Sequence, residues 1–211
     1  MEPVKRLTSL VMLAVLAATL GLCAGCGLFK PAIPEQAKGT AIIGDYSYPD
    51  STLATLARGI EAKGNNGGQD AYMAGLADTT LDHHAFQALF DPITVQRYES
   101  GNLKVPVWES DEEQHFYAQL AASNGGNSFD MRWSDGLASD EVSDTLVVLY
   151  RKYQIFLLHG TSVTSTLGYG YAELRLVRSG TRWVLWRWID LESSDAPTDA
   201  QSYGQLRLKY K

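Results

Sequence analysis

The stretch from Tyr171 to Leu191 reads YAELRLVRSGTRWVLWRWIDL, and it decides the fold. Its first half alternates apolar with polar side chains, as a half-buried strand does, the apolar ones being Ala172, Leu174 and Leu176. Because Ser179–Gly180 supplies a turn, the sequence predicts a β-hairpin over Tyr169–Leu191. The second strand, Arg182–Leu191, carries large apolar groups on both faces, with an irregularity near Trp186 that indicates a bulge. We therefore expect this strand to lie inside the sheet, with helices on one side and an enclosed concavity on the other.

Two further strands precede the hairpin. Apolar and polar residues alternate from Ser128 to Trp133, the apolar ones being Phe129, Met131 and Trp133. The run from Thr145 to Leu158 is rich in Val, Leu, Tyr, Ile and Phe, which is typical of a long strand. Before residue 128 the apolar residues recur at helical spacing instead. The chain therefore predicts an α+β layout, in which helices pack on a curved antiparallel sheet.

Three helices are predicted ahead of the sheet. The first begins at Pro49–Ser51 and has one apolar face, formed by Leu53, Leu56, Ala57 and Ile60. The second is short, with Asp70 as its cap and an end near Asp78. The third begins at Ser110, where Glu113 completes a capping box. Its apolar stripe consists of Phe116, Tyr117, Leu120 and Ala121.

Two other segments have a less regular pattern. The segment Leu81–Phe90 fits a helix and a strand equally well, and Asp91 with Pro92 ends it in either case. After the polar segment Ser193–Ala200, three apolar residues alternate with charged ones, the apolar ones being Leu206, Leu208 and Tyr210. We expect residues 193–211 to form a C-terminal tail or a short edge strand whose charges, Arg207 and Lys209, guard the sheet edge.

The N-terminus has the pattern of an export signal over residues 1–25. Lys5 and Arg6 precede an apolar run, Leu7–Leu22, of 16 residues. A helix that spans a bilayer needs about 20 residues, so a removed signal is favoured over a permanent span.

The end of this run resembles the lipobox of bacterial lipoproteins. The small residues Ala24 and Gly25 directly precede Cys26, although Cys23 stands where that pattern usually has Leu. We expect Cys26 to become the lipidated N-terminus, followed by a flexible tether over residues 26–45 and a domain over residues 46–192. The alternative is an ordinary cleaved signal that leaves a free thiol. Gly27 is not the Asp that retains some lipoproteins at the inner membrane, which favours the outer membrane in a host with two membranes.

Charge and cysteine usage exclude several classes of protein. The chain of 211 residues has 18 Lys and Arg against 24 Asp and Glu, giving a net charge of -6. A protein without a basic surplus is a poor candidate for binding nucleic acid. Cys23 and Cys26 are the two cysteines, so the predicted domain contains no disulfide and depends on its apolar core.

Five stretches together resemble the NTF2-like (SnoaL-like) superfamily, and more closely a group of uncharacterised bacterial lipoproteins with that domain. They are DAYMAGLAD at Asp70–Asp78, FDP at Phe90–Pro92, WESDEEQHF at Trp108–Phe116, the hairpin sequence Tyr171–Leu191, and YGQLRLKY at Tyr203–Tyr210. The resemblance implies a cone, in which N-terminal helices cover a curved antiparallel sheet. It implies little about activity, since this fold hosts isomerases, dehydratases and domains without catalysis.

Members of the superfamily that are enzymes commonly place an Asp or a His inside the cone as a general base. The weak candidates for that role here are His83, His84 and Asp91. Adjacent histidines point in divergent directions on a helix or a strand, so no metal site is predicted, and no cofactor is implied. Asp190 is expected to form a hydrogen bond or salt bridge near its strand end, with Arg187 or Arg175.

Aromatic residues offer a second type of site. If a cavity remains inside the cone, the expected ligand-binding residues are Trp133, Tyr153, Trp186 and Trp188. The leading hypothesis is an envelope lipoprotein, held at the membrane by lipid on Cys26, that binds a small apolar ligand or a protein partner without catalysis. The alternatives are an isomerase or dehydratase with a His or Asp base, and a structural homodimer packed sheet to sheet.

Overall fold

The computed structural model of the protein describes residues 42–63, 65–101, 103–125, 127–191 and 193–211. The predicted signal, Cys26 and most of the tether lie outside the described residues. The helices are α1 (Pro49–Ala62), α2 (Gly68–Ala74), α3 (Thr79–Asp82), α4 (Pro92–Glu99), α5 (Ser110–Ser123) and α6 (Tyr203–Lys209), with a 3-10 turn at Asn65–Gly67. The strands are β1 (Gln87–Leu89), β2 (Ser128–Asp135), β3 (Glu141–Val142), β4 (Leu146–His159), β5 (Ser162–Ser179) and β6 (Arg182–Leu191). The predicted α+β class is confirmed.

The strands form one curved sheet in the order β1-β6-β5-β4-β2, with β3 paired to β4. β5 and β6 make the predicted hairpin, and its turn contains Gly180 at a φ of 60°, a conformation that glycine adopts without steric cost. β6 pairs antiparallel with β5 and parallel with β1, so the Trp-rich strand lies inside the sheet as predicted.

The predicted bulge lies at Trp186. Arg175 pairs with Arg187, but the next residue, Leu176, pairs with Leu185, so Trp186 is the extra residue of β6. A bulge changes the parity of the strand. Leu185 and Trp188 consequently both face the helices and are fully buried, although they are three positions apart.

The caps of α2 and α5 differ from prediction, whereas α1 begins where it was expected. α1 begins at Pro49 and buries the predicted face. α2 begins at Gly68 after Gly67, so Asp70 is not its cap. The predicted capping box of α5 is also wrong by one position: the cap is Glu109, whose backbone N–H donates to the Glu112 side chain at 3.1 Å. This shift leaves Glu113 on the buried face of the helix.

The ambiguous segment Leu81–Phe90 contains both a helix end and a strand. α3 ends at Asp82, and β1 then runs parallel to β6. Asp91 caps a further helix, α4, which was not among the three predicted helices. Its carboxylate accepts a hydrogen bond from the Thr94 N–H at 2.9 Å, as helix caps do.

The C-terminal segment differs most from prediction. Residues 203–209 form helix α6, so the expected edge strand is wrong. The Ser202 side chain caps this helix by accepting from the Gln205 N–H at 3.2 Å. Tyr203, Leu206 and Arg207 lie on the inner face of the helix and have no exposed surface. The last helix therefore packs inside the cone, and Arg207 does not guard an edge.

The main core lies between the helices and the concave face of the sheet. A smaller cluster around Ala77, Val177 and Val184 lies apart from it. Across the described part of the chain, no helix has the length and apolar character needed to cross a membrane.

Candidate functional site

The inside of the cone holds a buried carboxylate, Glu113 of α5, with no exposed surface. Its Oε1 accepts hydrogen bonds from the Tyr72 hydroxyl at 2.5 Å and from a terminal nitrogen of Arg207 at 3.0 Å. Its Oε2 accepts from the Trp108 indole N–H at 2.6 Å and from Arg207 Nε at 2.7 Å. Four donors thus occupy the lone pairs of this carboxylate, which leaves none for a substrate proton.

Arg207 reaches this carboxylate from helix α6 and is enclosed by aromatic rings. Its guanidinium lies 4.5 Å from the ring centre of Tyr203 and 4.8 Å from that of Trp188. Burial opposes the positive charge, but the neighbouring Glu113 carboxylate outweighs it and raises the pKa of Arg207 above its usual value. The ion pair joins α5 to α6 in the core.

A second buried carboxylate, Asp190 of β6, lies at the start of α6. It accepts from the Trp188 indole N–H at 2.8 Å, from the Tyr153 hydroxyl at 3.4 Å, and from the Gly204 backbone N–H. The Tyr153 oxygen in turn accepts from the Tyr203 N–H at 2.8 Å. Asp190 and Tyr153 thus bind the free N–H groups of the first turn of α6.

Burial raises the pKa of Asp190 to about 6, although Arg207 and the Trp188 and Gly204 hydrogen bonds act in the opposite direction. Removal from water therefore has the larger effect on this group. The predicted hydrogen bond near the strand end is present, but its partners are neither Arg187 nor Arg175. Arg175 instead pairs with Glu173 at 2.6 Å, and the Arg187 guanidinium lies 4.5 Å from the Trp186 ring.

Gly204 is required where α6 meets this carboxylate. A Cβ at this position would lie 2.7 Å from Asp190 Oδ2 and 2.8 Å from a ring carbon of Phe90, closer than side chains tolerate. The short helix can approach β6 only because residue 204 has no side chain.

Three of the four predicted ligand-binding residues lie together. The ring centre of Trp188 is 5.5 Å from Trp133 and 5.8 Å from Tyr153. The Tyr203 ring of α6 stacks on Trp188, with 4.3 Å between the ring centres. Trp186, the bulged residue, is separate from them and contacts His84 at 5.0 Å between ring centres.

The predicted catalytic candidates do not converge. His83 ends α3 in the left-handed conformation with its side chain exposed, and His84 packs on Trp186. Asp91 is buried, but it caps α4 and accepts from the Ser202 hydroxyl at 3.4 Å. No group of three or more His, Cys, Asp or Glu residues suited to a metal occurs among the described residues.

The residues that do converge have other roles in the predictions from sequence, which give Glu113 to a capping box and Arg207 to a sheet edge. Two sequence signals indicate that Arg207 lies on a buried helical face. Ser202 and Gln205 form a capping box, and Tyr203, Leu206 and Arg207 follow at the spacing of one face of a helix.

The buried network draws on the same stretches that carry the family resemblance. Tyr72, Glu113, Asp190 and Arg207 each lie in a different one of them. Phe90, from the fifth, packs edge-on against Trp108 at 5.7 Å. These stretches therefore supply the interior side chains of the cone and the helix α6 that closes it.

One solved structure matches this fold with a TM-score above 0.5. A protein of unknown function from Mycobacterium tuberculosis matches 76% of this chain and 82% of its own, with a TM-score of 0.51 and 12% identity. A member of the NTF2-like family from Streptomyces avermitilis matches 67% of this chain and 92% of its own, at 11% identity and a TM-score of 0.47. An NTF2-like protein of unknown function from Shewanella oneidensis matches 69% and 100%, at 19% identity and a TM-score of 0.40. No family model and no curated protein matches the sequence.

Proposed function

We propose that this chain is a bacterial envelope lipoprotein whose NTF2-like cone is a closed, non-catalytic binding domain. Lipid on Cys26 holds it at the membrane, and its ligand or partner binds on the outer surface of the cone. The observation that carries the proposal is the Glu113–Arg207 pair, in which both side chains have no exposed surface. A carboxylate that acts as a general base must be within reach of the substrate, and α6 closes this interior.

A second candidate function is supported by Asp190. Its raised pKa, with Tyr153 and Trp188 around it, is the property expected of a general base in an apolar cone. Catalysis of the isomerase or dehydratase type would require α6 to leave, because the Gly204 N–H of that helix donates to this carboxylate. The closed form therefore favours the binding domain.

The anchoring is tested with cysteine variants of the full chain in a bacterial host fed an alkyne-tagged fatty acid. The natural chain should carry the label and sediment with membranes, because diacylation gives stable anchoring. Cys26→Ser should lose the label and the membrane association. Cys23→Ser is the matched control and should keep both. Label that depends on Cys23 and not on Cys26 would contradict the proposed processing site.

A further inference from the structure

A surface groove of about 520 Å³ separates α1 from β2, on the outside of the closed cone. Its apolar floor contains Leu53, Met131 and Trp133, and its charged walls contain Glu61 and Asp135. We propose that this groove binds a small organic cation, an ammonium group on an apolar body. The inference rests on the proposed function, since it places the ligand outside the cone.

Glu61 supplies the first part of the argument. It is half-buried, and its Oε1 accepts a hydrogen bond from the Met131 backbone N–H at 3.1 Å, which holds the carboxylate at the groove. Burial raises the pKa of Glu61 above its usual value. Within the described residues it forms no salt bridge, so a cation in the groove would offset the cost of its burial.

Trp133 supplies the second, independent part. Its indole N–H donates to the Leu53 carbonyl at 3.1 Å, which fixes the ring against α1 at the groove. Trp188 packs against it from the inner side at 5.5 Å. Tryptophan is the best aromatic partner for an ammonium group, and an indole that is already held in place loses little entropy on binding.

The remaining charges of the groove also favour a cation. Three carboxylates line it, those of Asp50, Glu61 and Asp135, against two guanidiniums. One of these, Arg151, is already bound by Asp140 at 2.6 and 2.8 Å and by Asp50, itself a groove carboxylate, at 3.2 Å. The other, Arg58, turns back to donate to the Thr55 hydroxyl at 2.9 Å. With Arg151 matched by Asp50 and Asp140, the remaining charges of the lining are the carboxylates of Glu61 and Asp135 against the guanidinium of Arg58. The net charge of the groove is therefore negative, which is complementary to a cation.

Three probes of similar shape separate charge from apolar contact: phenethylammonium, phenethyl alcohol and 3-phenylpropanoate. Each is titrated into the full-length lipidated chain in nanodiscs of zwitterionic lipid, and the indole N–H resonances of the tryptophans are followed by NMR. The Trp133 resonance should shift with phenethylammonium, which should bind at least tenfold more tightly than the other two probes.

Glu61→Gln should weaken phenethylammonium binding about tenfold, because the amide oxygen keeps the Met131 hydrogen bond while the charge is lost. Glu99→Gln, on the exposed surface of α4, is the matched control and should leave binding unchanged. Equal binding of the three probes, tighter binding of 3-phenylpropanoate, or no shift of Trp133 would each overturn the inference. Direct nuclear Overhauser contacts between the probe and the buried indole of Trp188 would show that the probe enters the cone, and they would overturn the proposed function as well.

Discussion

Arg207→Ala should lower the free energy of unfolding by about 3–5 kcal/mol, because it leaves the Glu113 carboxylate charged and unpaired in the core. Glu113 would keep its hydrogen bonds from Tyr72 and Trp108 but lose both bonds from the guanidinium. The loss is a large part of the 5–15 kcal/mol by which domains are usually stable, so the transition should be visible in urea and by heating.

Two further variants identify the cause of that loss. Arg97→Ala removes an exposed guanidinium from α4 and should change stability by at most about 0.5 kcal/mol. Adding Glu113→Gln to Arg207→Ala should recover part of the loss, because the orphaned charge disappears. If Arg207→Ala were as mild as Arg97→Ala, the ion pair would not hold α6 in the cone.

The free energy of unfolding should fall by about 2 kcal/mol as the pH rises from 4 to 7, through the titration of Asp190 alone. Its pKa is about 6 in the folded protein against an ordinary value of 3.8. Between these values the folded state binds one more proton than the unfolded state, so its stability is greatest below pH 4 and is lost as the pH passes 6. The groups around the carboxylate that set this value include Arg207, which lowers the pKa, and Asp91, which raises it.

Asp190→Asn should remove this fall, because it has no proton to release. Asp199→Asn alters an exposed carboxylate in the loop before α6 and should keep the natural profile. The half-buried Glu61 acts in the same direction, so the difference between the natural chain and Asp190→Asn is the quantity to measure. Identical pH profiles for these two proteins would contradict the burial of Asp190.

The position and bulge of β6 could be predicted because the sequence determines both directly. A strand with large apolar groups on both faces cannot lie at a free edge, and Trp186 interrupts the alternation between Leu185 and Trp188. The face of α1 could also be predicted, since four apolar residues repeat at helical spacing over a long segment. Such signals are local and strong.

The interior of the cone could not be predicted, for two physical reasons. In α6 the apolar residues Leu206, Leu208 and Tyr210 alternate as in a strand, and in so short a segment tertiary packing decides between the two periods. Arg207 and Glu113 are charged, and charged residues are almost never fully buried unless paired. Their pairing joins positions 94 residues apart, which no local pattern reveals.

Helix α6 is expected to keep the cone closed for as long as the domain is folded. Hydrogen exchange of the Trp108 and Trp188 indole N–H groups tests it most directly, because these protons bond to Glu113 and Asp190. A closed cone predicts that both exchange only when the whole domain unfolds, with the same free energy as global unfolding. Exchange at a much lower free energy, with the rest of the core still protected, would mean that α6 opens and that ligands can reach the interior.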